Sequence, residues 1–229
     1  MNPSVGVAPL PLISVLVPAY NRASLIGRCL RSLVSQSLSH ELFEVIVIDD
    51  GSTDETRLVA SQFVSREGNT RVVHLRENRG LPSALNEGIA VARGEYLFRV
   101  DSDDFLNVNC LLILHTYVSL LPSVNAVAVD YIEVDDEEHW LSIHDCSKEP
   151  IACGVLFRTK CVIDVGLYDE TFLCNEDLDF KFRFEKKFTI DRLPIPLYRY
   201  RKHDDNMTKD VEMMSAYKAI LRDKHGTNF

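Results

Sequence analysis

Four short apolar runs, each followed by a segment with a different periodicity, constrain the fold of this chain more than any other feature. Strands that are apolar almost throughout are buried on both faces, and strands alternating with helices form parallel sheets with helices on both sides. The sequence therefore predicts an α/β fold with a mostly parallel central sheet. The predicted strands are Ile13–Val17, Val45–Ile48, Arg71–Leu75 and Glu95–Val100.

Three predicted helices connect these strands. Apolar residues recur at helical spacing from Leu25 to Val34, as expected for one buried helix face. Asp54 is predicted to cap the second helix. Pro82 suits the first turn of the third helix, and Gly94 is predicted to end it.

Polar clusters follow all four predicted strands. The carboxyl ends of parallel strands lie along one edge of an open sheet, which is where ligands bind in such folds. The sequence therefore predicts a ligand site on that edge. The clusters are Pro18-Ala19-Tyr20-Asn21, Asp49-Asp50, Glu77-Asn78-Arg79-Gly80 and Asp101-Ser102-Asp103-Asp104.

The most acidic cluster places Asp101, Asp103 and Asp104 within four residues. Crowded carboxylates repel one another, and burying them unpaired is costly. A divalent cation such as Mg²⁺ or Mn²⁺ relieves this repulsion and accepts oxygen ligands. A solvated acidic turn is the alternative, and the Asp-x-Asp spacing by itself does not decide between the two.

The second half of the chain is less regular. A core helix is predicted over Cys110–Leu121, and an acidic, irregular excursion or lid near the cleft over Asp130–Glu149. The remaining predictions are strands at Ala126–Val129 and Ile151–Phe157, a helix from Glu176 through Lys187, an extended segment over Leu193–Arg201 broken by Pro194 and Pro196, and a terminal helix over Val211–Lys224.

Composition excludes several classes of protein. The net charge of −9 argues against a nucleic-acid binder. The six cysteines lack the C-x-x-C spacing of zinc or redox sites, which favours reduced thiols in a cytosolic protein. No apolar stretch approaches the roughly 20 residues of a membrane span. The sequence also lacks the G-x-G-x-x-G, P-loop, H-E-x-x-H and G-x-S-x-G signatures.

Six motifs follow one another along the chain. They are Val15–Arg22, Val47–Asp54, Asn78–Gly80, Arg99–Asp104, Asn175–Asp179 and Tyr200–His203, the last followed by Asn206-Met207-Thr208. In this order they resemble the motifs of glycosyltransferase family two, which has an inverting mechanism and the GT-A fold. The resemblance runs from about Ile13 to Thr208 and therefore covers most of the chain.

The resemblance implies a site for a nucleotide-diphosphate-sugar donor. Tyr20 would stack on the base, and Pro18 and Asn21 would shape its loop. Asp50 would accept a hydrogen bond from the base, which favours uracil because its N3–H is a donor. From the residues alone, Tyr20 could instead pack against the protein at the end of its strand. Asp49 could take a direct part in the site or serve as a turn or capping carboxylate.

The remaining donor contacts follow from the same resemblance. Asp101 and Ser102 would face the ribose and sugar side of the donor. Arg79 and Gly80 match a loop that contacts the donor, although Arg79 also fits a surface charge and Gly80 a simple turn. Asp104 fits either support of the metal site or a cap for the following helix.

The resemblance further implies a metal-dependent displacement. Asp103 would hold Mn²⁺ or Mg²⁺, and His203 could reach the same metal or remain structural. Asp177 would act as the general base, with capping of its own helix as the alternative. Asp179 is expected on the helix surface or behind the site.

Residues 1–12 are predicted to be a flexible lead-in and residues 13–229 a single GT-A domain. Within it, 13–104 would bind the nucleotide sugar, 105–208 the acceptor, and 209–229 would form a C-terminal helix. The expected enzyme transfers a sugar from a nucleotide-diphosphate donor, with a UDP-sugar as the expected donor, to a glycan or lipid-linked acceptor in surface glycan synthesis. It would be cytoplasmic, with peripheral membrane association left open.

Two other functions remain open. One is a non-catalytic domain that binds nucleotide sugars. The other is a sugar nucleotidyltransferase, which also combines a parallel sheet with acidic residues and a metal. Its glycine- and lysine-rich triphosphate loop has no counterpart at Ala19-Tyr20-Asn21-Arg22.

Overall fold

The computed structural model describes residues 12–64, 69–172, 174–203 and 211–226. Most of the predicted lead-in, residues 1–11, and the predicted motif Asn206-Met207-Thr208 lie outside these ranges. The strands are β1 Ile13–Ala19, β2 Phe43–Asp49, β3 Thr70–His74, β4 Tyr96–Arg99, β5 Phe105–Leu106, β6 Ala126–Val134, β7 Trp140–His144, β8 Val155–Arg158 and β9 Ile190–Arg201. The helices are α1 Ile26–Val34, α2 Thr56–Ser61, α3 Leu81–Val91, α4 Cys110–Leu120, α5 Thr159–Val165, α6 Glu176–Glu185 and α7 Val211–His225.

One sheet joins the described strands in the order β3-β2-β1-β4-β8-β6-β9-β5, and β7 pairs with β6. Strands β3, β2, β1 and β4 are parallel, as are β6 and β9. Strand β8 runs antiparallel to both β4 and β6 and so links the two parallel groups. The predicted α/β fold with a mostly parallel sheet is confirmed.

The apolar strands are buried on both faces, and successive side chains supply two separate cores. In β1, Val15 and Val17 belong to the core that includes α1 and α4. Leu16, between them, belongs to the core that includes α3 and α6. Successive side chains of a strand point to opposite faces. The continuous apolar runs therefore place helices on both sides of the sheet.

The segment predicted as an irregular acidic excursion, Asp130–Glu149, is largely a β-hairpin. Strand β6 continues to Val134, and β7 returns along it. Ile132 and Val134 are fully buried, while Asp130 is paired with Arg192 and Glu133 with Lys202. The prediction was wrong because these cations, distant in sequence, neutralise the acidic residues within the strand.

The predicted strand Ile151–Phe157 begins later than expected. Gly154 has φ of 73°, a conformation that glycine adopts without strain, and β8 starts at the next residue. Strand β9 is continuous, but its pairing with β6 shifts twice, between Leu193 and Pro196 and again between Pro196 and Tyr198. The predicted interruption by prolines is therefore a pair of register shifts within one strand.

Gly94 does not end a helix, since α3 ends at Val91. The Gly94 backbone N–H donates to the Ser14 hydroxyl over 2.8 Å. A Cβ atom at Gly94 would lie 2.5 Å from the Ser14 backbone nitrogen. Close approach of the chain to β1, rather than helix termination, therefore requires glycine here.

We expect Gly94→Ala to lower the free energy of unfolding by about 1–3 kcal/mol, because the added methyl group overpacks against backbone. Gly27→Ala is the matched control, since its Cβ would meet Val59 at 3.6 Å, an ordinary contact. It lies in α1, where alanine is favoured over glycine by about 0.5–1 kcal/mol. Urea unfolding measures both, and equal stability of the two variants would contradict the prediction.

Candidate active site

A cleft of about 620 Å³ opens at the carboxyl ends of β1, β2 and β4, next to the amino ends of α3 and α6. This is the edge at which the sequence predicted a ligand site. Eight of the eleven predicted site residues line it: Pro18, Tyr20, Asp50, Gly80, Asp101, Ser102, Asp103 and Asp177. The other three, Asn21, Arg79 and His203, are not part of this lining.

The loop after β1 presents Tyr20 to the cleft, where 40% of the residue is exposed. Asn21 next to it has φ of 51° and is held from both sides. Its backbone N–H donates to the Ser52 hydroxyl over 3.0 Å, and its side-chain oxygen accepts from the Thr53 backbone N–H over 2.9 Å. Asn21 therefore fixes the loop that carries Tyr20.

Asp50, after β2, is buried at the base of the cleft. Its two carboxylate oxygens accept the backbone N–H groups of Arg79 and Gly80, each over 2.9 Å. Burial raises the pKa of Asp50, and these two hydrogen bonds oppose that shift. The Arg79 guanidinium pairs with Glu87 and Glu170 instead, so Arg79 contributes its backbone to the site while its side chain forms surface ion pairs.

A buried guanidinium joins two of the acidic motifs. Arg99, at the end of β4, donates to both carboxylate oxygens of Asp101 over 2.7 and 3.2 Å. It also donates to Glu176 of α6 over 3.0 Å. Burial raises the pKa of Glu176, and Arg99 opposes the shift. The sequence placed Arg99 and Glu176 in two of the predicted motifs but did not predict their pairing.

Asp104 points away from the cleft and is buried. It accepts the Tyr198 hydroxyl over 2.7 Å and the Arg201 backbone N–H over 2.8 Å. Burial and the neighbouring acids Asp103 and Asp101 raise its pKa well above the usual range. Strand β5, not a helix, follows Asp104, so its contacts support the acidic loop rather than cap a helix.

Asp103 lines the cleft and lies close to two basic groups. Its Oδ2 lies 2.9 Å from Nε2 of His203 and 3.8 Å from Nε of Arg22. Its backbone carbonyl accepts from Nε of Arg201 over 3.1 Å. Residues separated by a hundred positions thus meet because β9 returns beside the loop after β4.

The residues present fit a divalent cation. Asp103 offers a carboxylate oxygen and His203 an imidazole nitrogen, and Mn²⁺ accepts both kinds of ligand. Ligand atoms of Asp101, Asp104 and Cys153 also lie within 4.8 Å of one another. That second group is less suited, because its carboxylates already accept from Arg99, Tyr198 and Arg201.

Asp177 lies in the first turn of α6, is half-buried, and lines the cleft. Burial raises its pKa, and the nearby Arg99 opposes the shift. Asp179 is fully buried instead, where it accepts from Arg183 and pairs with Lys224 and His225 of α7. Asp179 therefore connects α6 to α7.

Sequence reasoning missed four residues at or behind the cleft: Glu176, Tyr198, Arg201 and Lys218. Lys218 of α7 lines the cleft although it lies 33 residues beyond the end of α6 at Glu185. Glu176, Tyr198 and Arg201 stand inside motifs or strands that were predicted. Their burial is the distinguishing feature, and the sequence carries no direct signal of it.

Residues 14–179 match the model of the glycosyl transferase family 2. The chain therefore belongs to this family.

Several curated proteins are similar to this chain. The poly(ribitol-phosphate) beta-glucosyltransferase of Bacillus spizizenii is 41% identical over 101 residues, which are 44% of this chain and 16% of that protein. Glycosyltransferase GlyG of Streptococcus pneumoniae is 34% identical over 127 residues, 56% of this chain and 41% of that protein. The uncharacterized glycosyltransferase RT0329 of Rickettsia typhi is 26% identical over 92% of this chain and 70% of that protein. The chain thus spans less than half of the first two relatives.

Solved structures share the fold. TarS of S. aureus in complex with UDP-GlcNAc has a TM-score of 0.76 and 22% identity, covering 92% of this chain and 66% of that one. The mannosyltransferase PcManGT of Pyrobaculum calidifontis, in complex with GDP-Man and Mn²⁺, has a TM-score of 0.72 and 19% identity, covering 93% and 65%. The fold of this chain is the GT-A fold. Within the described ranges, no helix combines the length and the apolar character needed to cross a membrane.

We expect Tyr198→Phe to lower the free energy of unfolding by about 1–3 kcal/mol, because buried Asp104 loses a hydrogen-bond donor. Tyr117→Phe is the matched control, since that hydroxyl lies 3.4 Å from Asp191. Its loss should change stability by no more than about 0.5 kcal/mol. Denaturant unfolding measures both, and a Tyr198→Phe protein as stable as the control would disprove this role of the hydroxyl.

Proposed function

We propose that this protein is a metal-dependent inverting glycosyltransferase that moves a sugar from a nucleotide-diphosphate donor to an acceptor hydroxyl. The observation that carries the proposal is the shared cleft. Asp177 lines it together with Tyr20, Asp50 and Asp103. The aromatic ring of Tyr20, the buried hydrogen-bond acceptor Asp50 and the candidate metal ligand Asp103 therefore share one cleft with the Asp177 carboxylate, which can accept a proton.

In the proposed donor complex, Tyr20 stacks on the base, because an aromatic face binds any base without reading its edge. Pro18 and Asn21 hold the loop that carries this ring. Asp50 accepts a hydrogen bond from the base, for which each carboxylate oxygen retains a lone pair beside its backbone donor. A uracil N3–H fits that acceptor, so we propose a UDP-sugar donor.

The rest of the donor would extend along the loop after β4. Asp101 and Ser102 contact the ribose and sugar side, with Asp101 oriented by its two hydrogen bonds from Arg99. Gly80 lines the same cleft and allows the donor to approach the backbone. Arg79 would take part through its backbone N–H, which holds Asp50.

Asp103 and His203 would hold the divalent cation, Mn²⁺ or Mg²⁺. When bound, the metal supplies positive charge that stabilises the departing nucleoside diphosphate. Arg22, which lines the cleft 3.8 Å from Asp103, would add a further positive charge beside the phosphates. Asp104 does not bind the metal in this proposal and instead fixes the loop through Tyr198 and Arg201.

Asp177 would be the general base. As its carboxylate takes the proton from the acceptor hydroxyl, the acceptor oxygen forms a bond to the anomeric carbon. The bond from that carbon to the phosphate oxygen breaks at the same time, and the electron pair leaves with the nucleoside diphosphate. Attack opposite the leaving group inverts the configuration of the anomeric carbon.

We further propose that residues 13–229 act as one domain, with 13–104 binding the donor, 105–208 binding the acceptor, and a C-terminal helix within 209–229. The acceptor is a glycan or a lipid-linked sugar in surface polysaccharide synthesis. All six cysteines lie within the described ranges, are buried and form no disulfide, which is compatible with a reducing, cytoplasmic location. Peripheral contact with the inner face of the membrane is part of this proposal.

The experiment that tests this function is a thermal-shift panel of nucleotide sugars with and without Mn²⁺. A ligand that binds the native state at a hundred times its Kd adds about 2.7 kcal/mol of stability. We expect the largest shift with a UDP-sugar and Mn²⁺, and Asp103→Asn should remove the part that depends on the metal. No shift with any nucleotide would refute the proposal. Binding accompanied by neither sugar transfer nor donor hydrolysis would indicate a non-catalytic binding domain.

Asp177→Asn should lower the transfer rate by about 10²–10⁴-fold, because the amide cannot accept the proton. UDP binding should persist, since the proposed donor contacts are unchanged. Asp164→Asn is the matched control, because Asp164 is an exposed residue of α5 that does not line the cleft. Steady-state kinetics and nucleotide titration measure the two effects, and full turnover by Asp177→Asn would exclude it as the base.

The transfer rate should fall as the pH falls through the pKa of Asp177, because only the unprotonated carboxylate accepts a proton. Burial raises that pKa from 3.8, so activity should be lost at a higher pH than an ordinary aspartate would give. The pH dependence of kcat/KM measures this acid limb. A rate that stays constant down to the ordinary range of aspartate would contradict it.

A further inference from the structure

A second cavity, of about 170 Å³, adjoins the donor cleft. The two share Asp177, Leu178 and the segment Pro150–Cys153 as lining. One water molecule needs only about 10–15 Å³ of such volume, so the second cavity can hold a group of several heavy atoms. Its position next to the proposed base links it to the reacting end of the acceptor.

The wall of this second cavity is mainly apolar. Six half-buried apolar side chains contribute to it, namely Ile151, Val155, Phe157, Tyr168, Leu178 and Ile190. Each retains surface that the rest of the protein does not cover. Covering apolar surface is favourable at about 25 cal/mol per Å², so an apolar occupant would be bound.

The two cations that line this cavity, Lys181 and Arg192, are each paired with a carboxylate. Lys181 lies 3.8 Å from Glu185. Arg192 is 2.6 Å from Asp130 and 3.0 Å from Asp145. Because each of these cations already has a carboxylate partner, the cavity does not favour an anionic occupant such as a phosphate over an uncharged one.

We infer that the acceptor carries an uncharged apolar group beside its reacting hydroxyl, and that this group binds in the second cavity. The inference rests on the proposed function, because it takes Asp177 as the point where the acceptor hydroxyl lies. The donor's nucleotide and diphosphate do not fill this cavity, since the proposed function places them in the larger cleft. The acceptor class is therefore an alkyl, prenyl or aryl glycoside rather than a free sugar.

The test compares binding of n-hexyl β-D-glucopyranoside and methyl β-D-glucopyranoside by isothermal titration, with UDP present. Burying one methylene changes affinity by about fourfold, so even partial burial of the longer chain should give at least about tenfold tighter binding. Equal affinity for the two glucosides would overturn the inference. This comparison needs only the unmodified protein.

Val155→Phe should fill the cavity and exclude most of the methylenes that would otherwise be buried there. The affinities of the two glucosides should then differ by no more than about twofold. Val155 lines the second cavity but not the donor cleft. Val108→Phe is the matched control, because Val108 is exposed and lines neither cavity, and the difference should persist in it. Should Val155→Phe fail to fold, Ile190→Phe fills the same cavity from the start of β9. A preference for the hexyl glucoside that survives both substitutions would place the chain elsewhere and refute the site.

A UDP thermal shift on the same preparations separates failure of the inference from failure of the proposed function. If UDP binds but the two glucosides bind equally, the second cavity is not an apolar subsite and the proposed function stands. If no nucleotide binds, the proposed function fails, and the assignment of the cavity to the acceptor fails with it.

Discussion

The buried guanidinium of Arg99 is the interaction on which the candidate site depends. Arg99 is 7% exposed and contacts both Asp101 and Glu176. Removing one partner of a buried ion pair typically costs 3–5 kcal/mol, because the remaining charge is left without compensation. Arg99 thereby joins the end of β4 to the start of α6, and it balances the carboxylates on either side of the cleft.

A second connection holds the acidic loop from the other side. Buried Asp104 accepts hydrogen bonds from Tyr198 and from the backbone of Arg201 in β9. The Tyr198 hydroxyl also accepts the backbone N–H of Asp101 over 3.1 Å. The loop after β4 is therefore fixed between α6 and β9, which leaves Asp103 as the acidic residue of this loop that meets His203.

Much of the first half of the fold followed from the sequence, because its strands are continuously apolar and local spacing reports burial directly. The clustering of Tyr20, Asp50 and Asp101 also followed, since parallel strands end on one edge of a sheet. Asp177 lies on a helix, and only the family resemblance placed it with them. The hairpin formed by β6 and β7 did not follow. Its acidic residues are neutralised by Arg192 and Lys202, and local periodicity carries no information on partners so distant in the chain.

The sequence by itself determined the class of fold, the edge of the sheet that carries the polar residues, and the side chains offered there. Only the tertiary structure decided which of those side chains line the cleft and which form structural contacts. It paired Arg79 with surface acids, committed Asp104 to β9 and Asp179 to α7, and opened an apolar cavity beside Asp177. The physical reason is that burial and charge pairing arise between distant segments, so the same residue type becomes a cleft residue or a structural one according to its neighbours in space.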